Sequence, residues 1–210
     1  MSIRIGLGRM RLGRMRLALG FATAILLATP AVPQFTDSYN FLKWIKDRRA
    51  EGKKAMDLMS KPGTVIIDTR DKSSGETALH IVTRDRDLEW VNFLLARGAK
   101  PDVKDAQGDT PLMVAARIRF PEGAQALIKR RALVDLANGG GETPLIIAVQ
   151  LRDPAMTRLL LNAGANPDKK DNLAGLSARD YAKRDNRATV ILKIFDEPRA
   201  KAAVTSGPRL

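Results

Sequence analysis

The stretch Gly108-Asp109-Thr110-Pro111-Leu112-Met113 has close copies in the same chain, GETALH at residues 75–80 and GETPLI at residues 141–146. A weaker copy, GLSARD, occupies residues 175–180, so the four leading glycines are separated by 33, 33 and 34 residues. Four copies at one period indicate an array of structural repeats, in which each repeat is one supersecondary unit.

The residues of each copy predict a turn followed by two antiparallel helices. Thr110 stands where a hydroxyl can cap the first helix, and Pro111 occupies the next position, where a missing N–H costs nothing. A second motif, FLLARGAKPD at 93–102 and LLLNAGANPD at 159–168, supplies the apolar face of the second helix and a glycine that ends it. In the middle copy Arg131 stands in place of this glycine.

Both motifs resemble the ankyrin repeat, and the resemblance covers about residues 37–196. It implies an all-α solenoid of about five helix-turn-helix repeats, of which the first and the last are capping repeats. Because one repeat alone cannot bury its apolar face, neighbouring repeats must stack. The repeats are expected at about 37–71, 72–104, 105–137, 138–170 and 171–198, followed by a disordered tail at 199–210.

The middle repeat departs most from this pattern. Residues 117–123 read RIRFPEG, which predicts that Pro121 and Gly123 lie in the turn between its two helices. Together with Arg131 at the end of the second helix, this predicts that the repeat at 105–137 is the least regular of the five.

The N-terminal residues follow the pattern of an export signal. Five arginines precede residue 17, and residues 17–28 (LALGFATAILLA) form an uncharged apolar run. This run is shorter than the about 20 apolar residues of a membrane-spanning helix. We therefore expect a signal peptide at 1–31 that is cleaved after Ala31, a short linker at 32–36, and a periplasmic or secreted protein. An uncleaved anchor in the inner membrane is the alternative.

Composition excludes most catalytic and metal-binding chemistry. The chain has no Cys and a single His, His80, which removes thiolate nucleophiles, Cys-containing zinc sites and His clusters. We therefore expect no enzymatic activity, no metal and no cofactor. For His80 the resemblance implies a structural role, a bridge between its own turn and the adjoining repeat.

The charge balance favours an acidic partner. Lys and Arg number 36 and Asp and Glu number 23, which gives a net charge of +13. Removal of the five N-terminal arginines leaves an excess of eight cations. For an exported protein this charge indicates an acidic protein or an anionic lipid surface, and nucleic acid is not expected as a partner.

Three acidic residues recur directly after the glycines, at Glu76, Asp109 and Glu142. We interpret them as first-turn helix acids, which the positive end of the helix dipole favours. A row of acids that binds a cation is the alternative.

Partners of ankyrin repeats usually bind the concave side, which is made of loop tips and exposed first-helix positions. Ile118 and Leu151 are apolar where this fold exposes residues to solvent, and with Arg84 and Arg117 beside them they have the composition of an interaction site. We therefore expect a monomeric, non-catalytic scaffold that binds another protein. A membrane-anchored module that acts on an envelope lipid or complex is the alternative. The expected partner-binding residues are Glu76, Arg84, Asp85, Gln107, Asp109, Arg117, Ile118, Glu142, Gln150 and Leu151.

Overall fold

The computed structural model describes residues 35–60 and 66–197. In this part of the chain it contains ten α-helices and no strands beyond two isolated bridges, Arg70 with Thr77 and Lys170 with Ser177. The expected signal peptide at 1–31 and the expected tail at 199–210 lie outside the described residues. The fold is the predicted all-α repeat solenoid.

The helices form five consecutive pairs, which is the predicted number. The first helices of the pairs are α1 (Phe35–Lys46), α3 (Ala78–Arg84), α5 (Pro111–Arg117), α7 (Pro144–Gln150) and α9 (Ala178–Arg184). The second helices are α2 (Arg48–Ser60), α4 (Leu88–Ala96), α6 (Pro121–Lys129), α8 (Pro154–Asn162) and α10 (Thr189–Asp196). Helix α1 begins at Phe35, so its first turn starts inside the segment 32–36 that was expected to be a linker.

The first helices begin where their residues predict. The Thr110 hydroxyl accepts a hydrogen bond from the backbone N–H of Met113 at 3.4 Å, and the Thr143 hydroxyl accepts one from Ile146 at 3.3 Å. Pro111 and Pro144 fill the first helical turn, where their missing N–H groups would have had no partner.

The middle repeat corrects the prediction made from residues 117–123. Pro121 is the first residue of α6, as Pro154 is of α8, because the fixed φ of proline suits the first helical turn. Gly123 lies inside α6 under the Phe120 ring, which would clash with a Cβ at this position. Helices α5 and α6 have seven and nine residues, the same lengths as in the repeats on either side. The prediction that this repeat is the least regular is therefore wrong for the lengths of its helices.

The second helices of the three inner repeats, α4, α6 and α8, end at a left-handed residue, as predicted. Gly98 and Gly164 have φ angles of 91° and 92°, and Arg131 adopts the same conformation at 64°. In each case the next backbone N–H returns to a carbonyl five residues earlier, for example from Ala132 to Leu127 at 3.1 Å. This bond satisfies a carbonyl that the helix leaves open.

Three further left-handed residues were not predicted. Arg86, Arg119 and Arg152 lie in the turns between first and second helices, with φ angles of 57°, 55° and 51°. Each reaches the residue that directly follows the first helix of the next repeat. Arg86 donates to the Ile118 carbonyl at 3.2 Å, Arg119 donates to the Leu151 carbonyl at 2.6 Å, and Arg152 pairs with Asp185 at 3.4 Å. We call this set of three the arginine ladder.

The core runs through the whole stack. Small residues with no exposed surface lie where adjacent first helices meet, and they let those helices approach closely: Val82, Ala115, Ala148 and Ala182. The second helices contribute Leu94, Leu127 and Leu160, which are also fully buried. Among the helices of the described residues, none is long and apolar enough to cross a membrane.

Candidate partner-binding groove

Four loops, at residues 71–75, 105–108, 138–141 and 171–175, form one wall of the predicted groove. Neighbouring loops are joined through their backbones. The N–H groups of Ala106, Gly139 and Asn172 donate to the carbonyls of Ser74, Gln107 and Gly140 at 3.0, 3.2 and 2.9 Å. We call these three bonds the loop-tip ladder, and they fix the four loops in a row.

The glycines that open the first three sequence copies, Gly75, Gly108 and Gly141, are needed for this close approach. Gly108 has a φ of 83°, and a Cβ at this residue would lie 2.7 Å from the backbone nitrogen of Gly139. Both the left-handed conformation and the neighbouring loop therefore exclude a side chain here.

The recurring acids lie outside the first helical turns, so the interpretation of Glu76, Asp109 and Glu142 as first-turn acids is wrong. Each precedes the capping threonine, and the helix starts one residue later still. Their carboxylates are instead engaged at the base of the groove.

Glu76 and Asp109 are both buried and pair with the last residue of the following helix. Glu76 pairs with Arg84, and Asp109 pairs with Arg117 at 2.8 Å. The Asn138 amide donates to Asp109 at 2.9 Å and to Glu142 at 3.0 Å. Within residues 35–60 and 66–197, no three His, Asp or Glu side chains are grouped so as to hold a metal ion.

The accessible residues among those predicted to bind a partner are polar. Arg84 and Arg117 end α3 and α5 and are about half exposed, at 50% and 49% of their side-chain surface. Gln150 holds the same position in α7, and Gln107 projects from its loop tip; both are exposed. None of these four side chains contributes to the buried core.

Three predicted residues are less available to a partner. Ile118 and Leu151 directly follow α5 and α7, are half-buried and pack against the core, so the expectation that they face solvent is wrong. The reason is that the chain turns back toward the second helix at this point. Asp85 holds the equivalent place after α3 and is paired with Arg48 at 2.8 Å.

His80 has the predicted bridging role. Its Nδ1 accepts a hydrogen bond from the Thr77 backbone N–H at 3.2 Å, and its Nε2 lies 3.1 Å from the Asp109 carbonyl of the next repeat. The ring is fully buried, and this burial lowers the pKa of His80, although the bond to the Asp109 carbonyl acts in the opposite direction.

The C-terminal end of the groove carries a buried carboxylate. Burial alone would raise the pKa of Asp171, but hydrogen bonds from the Tyr181 hydroxyl and from the Ala174 and Leu176 backbones outweigh it and hold the pKa below its usual range. Asp171 therefore stays ionised and keeps the last loop in place.

Sequence reasoning missed the arginine ladder, although a signal was present. Arg86, Arg119 and Arg152 each stand eleven residues after a repeat glycine. A basic residue that recurs at one offset, as the glycines and threonines do, indicates a shared contact between repeats.

Comparison with known families gives one match. A family model described as ankyrin repeats in three copies matches residues 49–138 and 79–171, which together cover more than half of the chain. The curated proteins contain no match to the chain.

Proposed function

Because this chain belongs to the ankyrin-repeat family, whose repeats form protein–protein interaction modules, we propose that it is a scaffold that binds another protein and catalyses no reaction. The partner lies along the concave groove, across the loop tips and the ends of α3, α5 and α7. Fold alone does not specify function, so the argument rests on the side chains of the groove.

The accessible side chains of the groove carry this proposal. Arg84, Arg117, Gln107 and Gln150 are exposed or half exposed, and stacking of the repeats does not require them. The loop-tip ladder fixes the loop that carries Gln107, and the other three residues lie at the ends of the packed helices α3, α5 and α7. This fixed arrangement lowers the entropic cost of binding. A partner that covers several repeats would bury about 1,200–2,000 Å², the size of a specific interface.

Photo-crosslinking at matched glutamines tests the location of the partner. Gln107 at a loop tip and Gln125 on the second helix α6 are both exposed. With a photoreactive amino acid at either position of the full chain, we expect a crosslinked partner from residue 107 and none from residue 125. Crosslinking from residue 125 alone would place the partner on the second-helix face and contradict the groove assignment.

We further propose that the scaffold works outside the cytoplasm, in the periplasm or as a secreted protein. Support comes from the basic start of the chain, the apolar run at 17–28 and the small residues that follow it. Mass spectrometry of the protein from its native cells is expected to find Val32 as the first residue. An intact N-terminus on a membrane-associated protein would favour the anchored alternative instead.

A further inference from the structure

A cleft of about 1,030 Å³ lies at the N-terminal end of the stack, between α1 and residues 69–73. It adjoins the groove but contains none of the predicted partner-binding residues. Its size is at the upper end of the range for sites that take small molecules or a few side chains of a peptide.

The cleft offers an apolar contact surface. Tyr39 is 71% exposed, although it is a large aromatic side chain, and Leu42 forms part of the lining next to it. Tyrosine gives a rigid apolar face with a polar tip, which is why it is enriched among the residues that dominate protein interfaces. Lys43 lies one helical turn after Tyr39 and therefore on the same face of α1.

The charge around this apolar surface is positive. The lining contains four cationic side chains, Lys43, Lys46, Arg70 and Lys72, and two anionic ones, Asp47 and Asp71. Asp71 is already engaged, because Lys46 pairs with it at 2.7 Å and its other oxygen accepts bonds from the Ser73 backbone and hydroxyl.

Arg70 and Lys43 supply positive charge that the Lys46–Asp71 ion pair does not neutralise. The Arg70 Nε donates to a neutral backbone carbonyl, that of Gly75 at 3.2 Å, and Arg70 makes no ion pair with any residue of the described ranges. Lys43 is exposed and makes no ion pair with any described residue. The two cations come from the two segments that line the cleft, Lys43 from α1 and Arg70 from residues 69–73.

We propose that this cleft binds an acidic peptide segment of another protein, with an apolar side chain against Tyr39 and Leu42 and carboxylates toward Lys43 and Arg70. The proposal rests on the proposed function in taking a protein as the partner. It adds a second contact site beside the groove and gives the chemistry of the segment that fits it. A peptide is favoured over a membrane because the positive charge lines two walls of a cleft and does not lie on a flat face.

The test uses the full chain and an acetylated peptide in which one leucine stands between two runs of three glutamates. The matched peptide has lysines in place of the glutamates. The acidic peptide is expected to shift the amide resonances of α1 and residues 69–73 in nuclear magnetic resonance spectra, and the basic peptide is expected to leave them unchanged. Equal shifts with both peptides, or none with either, would overturn the proposal.

Two charge-reversal variants locate the site. Lys43→Glu with Arg70→Glu is expected to raise the dissociation constant of the acidic peptide about tenfold, or about 1.4 kcal/mol. The control, Arg49→Glu with Lys53→Glu, changes the net charge equally at exposed positions of α2 and is expected to have less than a twofold effect. Tyr39→Ala replaces an exposed side chain outside the core and is expected to weaken binding of the acidic peptide as well. Equal weakening by the control would show general electrostatic attraction only.

Two further outcomes separate this inference from the proposed function. Anionic phosphatidylglycerol vesicles that shift the cleft resonances while the acidic peptide does not would show a lipid site and overturn the inference. If the acidic peptide leaves the amide resonances of the cleft residues unchanged while crosslinking from residue 107 still succeeds, only the cleft assignment fails. If the peptide binds but crosslinking from Gln107 fails, only the groove assignment fails.

Discussion

His80 shows what one residue contributes to this stack. Its ring takes a hydrogen bond from its own turn on one side and reaches the backbone of the next repeat on the other, while fully buried. The two bonds require a neutral ring that is protonated on Nε2. Protonation of Nδ1 would turn this acceptor into a donor, which would then face the Thr77 N–H donor.

We predict that His80 makes stability depend on pH in the weakly acidic range. Because burial lowers its pKa below the ordinary value of 6.5, the unfolded chain binds the proton more readily than the folded one. Its contribution is complete above pH 6.5 and is lost as pH falls from there toward the folded-state pKa. Urea unfolding at pH 7.5 and pH 5.5 measures this difference.

The control for His80 comes from the next repeat. Met113 fills the equivalent position there, with its sulfur 3.5 Å from the Thr110 backbone nitrogen. His80→Met is therefore expected to fold and to lose the difference in stability between the two pH values. A variant that keeps the full difference would show that other groups cause it.

At the scale of the helix, the left-handed arginines divide into two kinds. Arg131 ends α6 and is exposed, with no hydrogen bond or ion pair to another described side chain. Arg119 lies in the turn between α5 and α6 and donates to the Leu151 carbonyl. Both have a positive φ, and this left-handed conformation costs a residue with a Cβ about 1–2 kcal/mol of conformational energy.

Substitution by glycine is expected to change the free energy of unfolding differently at Arg131 and at Arg119. Arg131→Gly should raise the free energy of unfolding by about 0.5–1 kcal/mol, since glycine relieves the strain but also frees the unfolded chain. Arg119→Gly removes the same strain but loses a hydrogen bond worth about 0.5–1.5 kcal/mol, so its net change should be near zero or negative. Chemical denaturation of both variants checks this, and a larger gain for Arg119→Gly would contradict the role given to the ladder.

The ends of the helices could be predicted from sequence to the extent that local chemistry sets them. Thr110 and Thr143 cap their helices because the cap bond spans only three residues. Pro121 was placed in a turn because proline suits turns and first helical turns equally, and the sequence does not distinguish them. The left-handed conformation of Arg86, Arg119 and Arg152 was missed because glycine is the residue that this conformation normally favours.

At the scale of the whole molecule, stability comes from contacts between adjacent repeats. His80, the arginine ladder and the loop-tip ladder each join one repeat to the next. The buried core of the described residues runs from Phe41 to Phe195. In a linear array of this kind stability is approximately a sum of repeat and interface terms.

We therefore predict that residues 1–31 are not needed for folding. A chain that begins at Val32 should unfold cooperatively and with the melting temperature of the full chain, because every residue of the described core is retained. Circular dichroism during thermal unfolding measures this. Loss of the cooperative transition on this truncation would show that the removed segment belongs to the folded domain.

The candidate sites were predictable only where they follow the repeat. Arg84, Arg117 and Gln150 lie at one offset in successive repeats, so the sequence places them together in the groove. The exposure of Ile118 and Leu151 was misjudged because it depends on how the chain turns after the helix. The N-terminal cleft was missed because α1 has no copy of the motif, and its distance from residues 69–73 is a tertiary property.

The loop-tip ladder also affects how the molecule would respond to a pulling force. Each of its bonds joins only adjacent loops, beside the core and arginine contacts of the same junction, so tension between the two ends passes through the junctions between repeats in series. The weakest junction between repeats separates first, and each repeat that unfolds releases 33 or 34 residues, about 110 Å of extended chain. The stack would therefore lengthen in steps of one repeat. A partner bound across several loops would hold adjacent repeats together and would raise the force needed for the first step.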